Sequence, residues 1–205
     1  MGISSQELVE YESKAIHEFA CLQWEDVSLC ELGCQVDNMN GKGGVAKRVY
    51  NKRGVKRHVS IDINGGSGSV CIDLDKQIPD NLHGKFNVLT DYGTGEHVNN
   101  QYMLFKNKFL LCQKDAVMIH AVPLIGFCPD HGRYYYTEDI MKELADICNF
   151  ELLDTRVYSN ERVVTQKLVF SIFRKTSDDF PTEDEFNRNN IYDSGATHHT
   201  GNYLR

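Results

Sequence analysis

The chain is poor in proline, with 4 in 205 residues, so proline-rich linkers are excluded. It has no apolar run near the roughly 20 residues of a membrane-spanning helix, and no membrane partner is expected. The stretch MGISSQELVEYESK lacks the apolar core of a secretion signal, so a cytoplasmic protein is the expectation. The same stretch nearly fits an N-myristoylation pattern, but Gln6 stands where Ser or Thr is required, and that reading is rejected. No C-x-x-C pair occurs among the 7 cysteines, and Cys30 with Cys34 lacks the second pair that would complete a zinc site. Cys30, Cys71, Cys112, Cys128 and Cys148 lie in or beside apolar stretches, where a thiol behaves as a small hydrophobe. A reducing compartment without structural disulfides follows.

What is present is the balance of a folded globular protein, 41% hydrophobic and 25% charged, and long enough for one generous domain. The net charge of −7 argues against a general polyanion binder, so nucleic acid is not an expected partner. Charge is unevenly spread. Residues 38–61 carry Lys42, Lys47, Arg48, Lys52, Arg53, Lys56 and Arg57 and no acid, while the segment from Thr176 onward holds six acids against Arg188 and Arg205. The basic run is read either as a solvated helix face or as a patch for an acidic substrate, a phosphate or an acidic tail.

From residue 27 to about 150 strand and helix patterns alternate, which favours an α/β fold with a parallel sheet covered by helices on both faces. A helix is expected over 5–20, capped by Ser4 or Ser5, then a buried strand over 27–32 ending at Gly33. After the polar loop CQVDNMNGKGG come a helix over 45–51 stopped by Gly54, and strands over 58–63, 70–74 and 86–90. A long helix over 97–112, a strand over 116–120, an aromatic loop over 121–136 and a helix from Thr137 follow. Strands over 151–158 and 165–174 flank the short turn at 159–162, which makes them an antiparallel pair. Residues 1–175 are read as the domain. Residues 176–205 are read as an acidic, flexible tail that orders against a partner.

An open parallel sheet binds ligands at the carboxyl ends of its strands, beside the reversal of strand order. Those ends carry Glu31-Leu32-Gly33, Asp62, Asp73, Asp91 and His120. Gly33 permits close backbone approach. Asp62, at the end of the second strand, suits a ribose diol, Asp73 suits an adenine amine, and Ile63 and Leu74 suit the faces of an adenine ring. No metal site is expected, since His198 and His199 have no carboxylate framework. Tyr134-Tyr135-Tyr136 reads either as a wall for a sugar or aromatic acceptor or as packing for the loop.

Together these residues make the sequence resemble the class I S-adenosylmethionine-dependent methyltransferases. The resemblance covers about residues 27–174 and is nearest to a branch with an E-L-G-x-Q first motif and an F-G-T-x-E-H-V signature. Here these read Glu31-Leu32-Gly33-Cys34-Gln35 and Tyr92-Gly93-Thr94-Gly95-Glu96-His97-Val98, with His120-Ala121-Val122-Pro123 and Asp130-His131-Gly132-Arg133-Tyr134-Tyr135 matching the loop after strand five. The resemblance implies a Rossmann-like seven-stranded sheet, mostly parallel, with a final antiparallel pair. It implies S-adenosylmethionine as cofactor, held by Glu31, Gly33, Gln35, Asp62, Ile63, Asp73 and Leu74. Asp91, Tyr92 and Gly93 would lie beside the methionine part or the reacting methyl. His131, His97 and His120 are the candidate bases for a hydroxyl acceptor, since histidine titrates near neutrality. The sequence departs from the family where Gln35 and Asp37 replace the further glycines of G-x-G-x-G.

The leading expectation is O-methylation of a small-molecule or glycan-like acceptor. A second reading is a non-catalytic binding or assembly module, self-associating through the basic stretch and the acidic tail. A nucleic-acid methyltransferase is disfavoured by charge and by Asp91-Tyr92-Gly93-Thr94 standing where a base-flipping motif would be.

Overall fold

The computed structural model describes residues 2–3, 5–37, 44–159 and 166–196. Its centre is a seven-stranded sheet: β1 Ser28–Leu32, β2 Arg57–Asp62, β3 Val70–Cys71, β4 Phe86–Tyr92, β5 Cys112–Pro123, β6 Phe150–Ser159 and β7 Lys167–Lys175. The spatial order is β3-β2-β1-β4-β5-β7-β6. Neighbours from β3 to β5 pair in parallel, and β7 runs antiparallel to both β5 and β6. This is the expected Rossmann-like seven-stranded fold with its closing antiparallel pair. Strand order reverses between β1 and β4, which places the binding crevice at their carboxyl ends.

The central strands are buried along most of their length and mostly apolar because both sheet faces are covered. With a side-chain period of two, Leu29, Val88, Val117 and Ile119 enter one buried cluster with Leu8, Tyr11 and Tyr50. Cys30, Leu89 and Met118 enter the other, with Leu104, Phe105 and Leu144. The first face is covered by α1 Gln6–Lys14 and α2 Lys47–Arg53, the second by α3 Gln101–Leu111 and α4 Glu138–Ile147.

Local chemistry sets the helix ends. Ser5 accepts from the Leu8 backbone N–H, and α1 continues through a widened turn at Ala15–Phe19 to the length expected. Gly54, at φ +81°, stops α2. Thr137 caps α4 through Ile140. The helix expected over 97–112 begins later. Asn100 accepts from Met103 and starts α3 at Gln101, while Gly95–His97 forms a separate single turn. Strand β5 is longer than expected at both ends, and β3 is shorter.

The largest difference lies after residue 175. The segment expected to be flexible is packed on the domain as far as residue 196. Thr182 and Glu185 make a reciprocal capping box that starts a short α5, Glu183–Phe186. Phe186 is buried with its ring centroid 5.7 Å from those of Phe105 and Tyr102, and Phe180 sits 5.2 Å from Phe109. Tyr192–Asp193 then pairs antiparallel with Tyr134–Tyr135, and Arg133 binds Asp193 at 2.7 Å. The basic stretch also has internal partners: Arg53 pairs with Glu12 of α1, and Arg57 lies over the Phe86 ring.

Candidate active site

The site is built from three chain segments at the carboxyl edge: the β1 exit with the β2 exit beside it, the β4 exit, and the loop after β5.

At the β1 exit Gly33 adopts φ +78°, and a Cβ there would lie 2.3 Å from Thr94 Oγ1. Both facts demand glycine. The space beside it is filled by protein. Thr94 Oγ1 donates to the Leu32 carbonyl at 2.9 Å, and the Gln35 amide donates to Leu32 O at 2.7 Å and to Thr94 Oγ1 at 3.0 Å. Buried Gln35 therefore locks the turn that further glycines would leave open. Glu31 is likewise committed. One oxygen accepts from the Gln35 backbone, the other contacts His58 Nε2, and His58 stacks on Tyr50 at 5.1 Å. Burial raises the Glu31 pKa, against the opposing pull of His58. A crevice of about 90 Å³ opens here between β1, β2 and the start of α2, lined by Glu31, Cys34, Lys47, His58, Ser60 and Ser69 among others.

At the β2 exit, Asp62 is half-buried. One of its oxygens accepts from the Cys34 N–H at 2.9 Å and the other from Asn64 N–H at 2.8 Å, tying the two exits together. Each oxygen keeps lone-pair capacity for a further donor. Ile63, next in the chain after Asp62, is 58% exposed. Asp73 sits in the loop past β3, bound to Lys76 at 3.0 Å, and that bond lowers its pKa. Leu74 is different from its expected place against an adenine ring: it is buried in the core with Ile78 and Phe105.

At the β4 exit three expectations are corrected. Asp91 is wholly buried. Its carboxylate lies 2.8 Å from Lys108 Nζ of α3 and accepts from Thr94 N–H and Gly95 N–H. Burial disfavours its charge, but Lys108, His120 and the Gly95 N–H together outweigh that and hold its pKa below the ordinary value. Asp91 thus shapes the turn and does not face a ligand. Tyr92 turns to the opposite sheet face, where its hydroxyl donates to Glu12 at 2.9 Å beside Tyr50 at 2.6 Å. His120 is fully buried, 4.7 Å from the Phe173 ring, and burial pulls its pKa down to about 3. It is a neutral core side chain and not an accessible base. Gly93, at φ +83°, follows in a left-handed conformation that glycine adopts without strain.

The other two histidines meet, and they meet on a residue that sequence reasoning passed over. Glu96 lies wholly buried in the turn Gly95–His97. Its Oε1 is 3.1 Å from His131 Nε2 and 3.8 Å from His97 Nε2, and the two imidazole centroids are 5.1 Å apart. Gly132 lets the segments close, and Gly95 lets the Glu96 turn sit on Asp91. A Cβ on Gly132 would fall 2.6 Å from Glu96 Cγ, and one on Gly95 would fall 2.4 Å from Asp91 Oδ2. The loop is further tied by Arg133 N–H to the Glu96 carbonyl and by the Tyr135 hydroxyl to the Cys128 carbonyl. Tyr134 donates to Asn99 O, and Tyr136 donates to Gln101. The tyrosine run therefore organises the loop. A wider depression of about 580 Å³ lies beside it, between the start of α3, Tyr134 and the segment around Phe186. His198 and His199 lie outside the described residues.

The donor set at the β1 and β2 exits fits an adenosyl group through a carboxylate with spare acceptor capacity and an exposed apolar neighbour, while the Gly33 turn itself is occupied by Thr94 and Gln35. No helix among the described residues is long and apolar enough to cross a membrane.

No protein-family profile matches the sequence, and no curated protein is similar to it by sequence. Solved structures are similar in fold. The Burkholderia thailandensis 1,6-didemethyltoxoflavin-N1-methyltransferase, solved with S-adenosylhomocysteine, superposes at TM-score 0.58 with 13% identity, over 84% of this chain and 79% of that one. The N-methyltransferase NodS of Bradyrhizobium japonicum, also with S-adenosylhomocysteine, gives 0.58 and 12% over 85% and 89%. An S-adenosylmethionine-dependent methyltransferase from Mesorhizobium loti gives 0.57 and 10% over 83% and 98%. The chain therefore has the fold of the S-adenosylmethionine-dependent methyltransferases, at identities that speak to fold alone.

Proposed function

We propose that the protein is an S-adenosylmethionine-dependent methyltransferase that acts on an oxygen of a small-molecule or glycan-like acceptor. The observation that carries this reading is the pairing, at one switch point, of the Gly33–Asp62–Ile63 edge with the Glu96–His97–His131 cluster two residues beyond Thr94. Solved neighbours of the same fold hold S-adenosylhomocysteine, and two are named N-methyltransferases of small molecules or of unstated acceptors.

When bound, the cofactor supplies a methyl carbon on a positively charged sulfur, ready for in-line attack. The chain's own work is alignment of the two reactants, which can replace much of the entropic cost of a bimolecular encounter. Asp62 would accept hydrogen bonds from the ribose hydroxyls, and exposed Ile63 would cover one face of the base. The acceptor's hydroxyl is activated at the histidine cluster, where His131 is the most exposed member, with a quarter of its side chain accessible. Seven free cysteines suit a reducing, cytoplasmic setting.

The test is transfer of a labelled methyl group from S-adenosylmethionine to a panel of hydroxyl and amine acceptors. Label should enter hydroxyl compounds, and His131→Asn should lower kcat by about 10²-fold or more with cofactor binding retained. Label confined to amines, or no dependence on His131, overturns the oxygen assignment.

A further inference from the structure

We propose that Glu96, His97 and His131 form a binding site for one divalent transition-metal ion of the zinc or iron(II) class. The three side chains offer one carboxylate oxygen and two imidazole nitrogens, all within 4.8 Å of one another. Ligand atoms on a common ion at about 2.0–2.2 Å stand roughly 3–3.5 Å apart, so the Glu96–His131 separation of 3.1 Å already suits an ion, and His97 at 3.8 Å needs a small approach.

A second observation points the same way. Glu96 is completely buried, and among the described residues its ion-pair partners are the two histidines alone. Its Oε2 is buried and has no hydrogen-bond donor among the described residues. A buried carboxylate with an unsatisfied oxygen is costly unless a cation compensates it. Among the described residues no lysine or arginine pairs with it, whereas the neighbouring buried Asp91 has Lys108. Gly132 also lets the two segments meet, since a Cβ there would fall 2.6 Å from Glu96 Cγ.

The donor set selects the ion. Imidazole nitrogens favour zinc, iron, nickel or cobalt, while magnesium and calcium prefer oxygen alone. Three protein ligands leave positions for water or for an acceptor oxygen, the pattern of a working site and not of a closed structural one. Metal binding at this cluster stands by itself. Only the use of the ion to polarise an acceptor oxygen rests on the methyltransferase reading, and it would decide how the hydroxyl is activated.

The experiment uses the full chain stripped with a chelator, then titrated with zinc chloride, with cobalt chloride and with magnesium chloride, without cofactor or acceptor. The expected result is about one zinc ion per chain, a raised melting temperature, and a cobalt absorption band of a nitrogen–oxygen site, with no response to magnesium. Glu96→Gln and His131→Asn should each weaken zinc binding at least about tenfold. Glu96→Gln disturbs a buried position, so His131→Asn, at a partly exposed side chain, keeps the test valid if the first variant misfolds. No zinc uptake overturns the proposal. So does uptake that both variants retain, because it then belongs to exposed thiols such as Cys21 and Cys71 or to the terminal histidines. S-adenosylhomocysteine is titrated into the same stripped protein. A response to it without zinc uptake removes the metal site and leaves the methyltransferase reading standing.

Discussion

Asp91 illustrates how a residue's position along the chain and its side-chain role can part. It ends β4 where a ligand contact was expected, yet its charge is spent on Lys108 and on two backbone N–H groups of the following turn. Breaking one side of a buried ion pair strands the other charge. Asp91→Asn should therefore cost about 3–5 kcal/mol, and adding Lys108→Met should recover much of that loss. Urea denaturation of the single and double variants checks this, and equal stability of Asp91→Asn and wild type would refute the pairing. Lys108 was not legible because a lysine in a helix reads as solvated. Only its spacing from Leu104, Phe105, Leu111 and Cys112, all buried, puts it on an inward face. Glu96 was hidden for a related reason. An acid beside a histidine is ordinary in sequence, and only the fold brings His131 across to it.

At the scale of elements, the sheet strands were readable because runs such as those at 28–32, 86–92 and 116–122 are buried on both faces and mostly apolar, with only scattered polar residues. Edges were less readable. Strand β3 keeps only two paired residues, and α3 starts at an asparagine cap that the aromatic stripe around it obscured. The C-terminal segment was misread because its polar composition outweighs its few apolar anchors, Phe180, Phe186 and Ile191. Those anchors fill the outer face of α3, and Asn190 adds hydrogen bonds to Glu143 of α4. Phe186→Ala should cost about 3–5 kcal/mol, the usual range for truncating a buried aromatic. It should also expose the segment after residue 176 to limited proteolysis. A variant that melts with wild type and resists cleavage would show the segment to be loosely attached.

The whole molecule places one neutral imidazole deep in its core, and this has a consequence for its acid stability. His120 binds a proton near pH 6.5 when unfolded and near 3 when folded, so between those values the unfolded state holds more protons. Stability is therefore lost as pH falls through that window, by about 2 kcal/mol between pH 7 and 5 from this group alone. Asp91, with its pKa lowered, adds a further loss only below the ordinary carboxylate range. His120→Phe should remove the first of these slopes and leave the second, as read from urea midpoints across pH. An unchanged slope would mean that His120 is not buried and neutral.

At the scale of the whole molecule, strand order reverses between β1 and β4, with Asp62 and Ile63 on one side of that point and the Glu96 cluster on the other, and the proposed methyltransferase function requires an adenosyl group at the β1 and β2 exits. Calorimetric titration of the full chain with S-adenosylhomocysteine tests this most directly. Saturable binding near one ligand per chain is predicted, weakened about tenfold or more in Asp62→Ala and partly restored in Asp62→Asn, which keeps one acceptor oxygen. No heat at millimolar ligand, or binding that neither variant alters, would contradict the account.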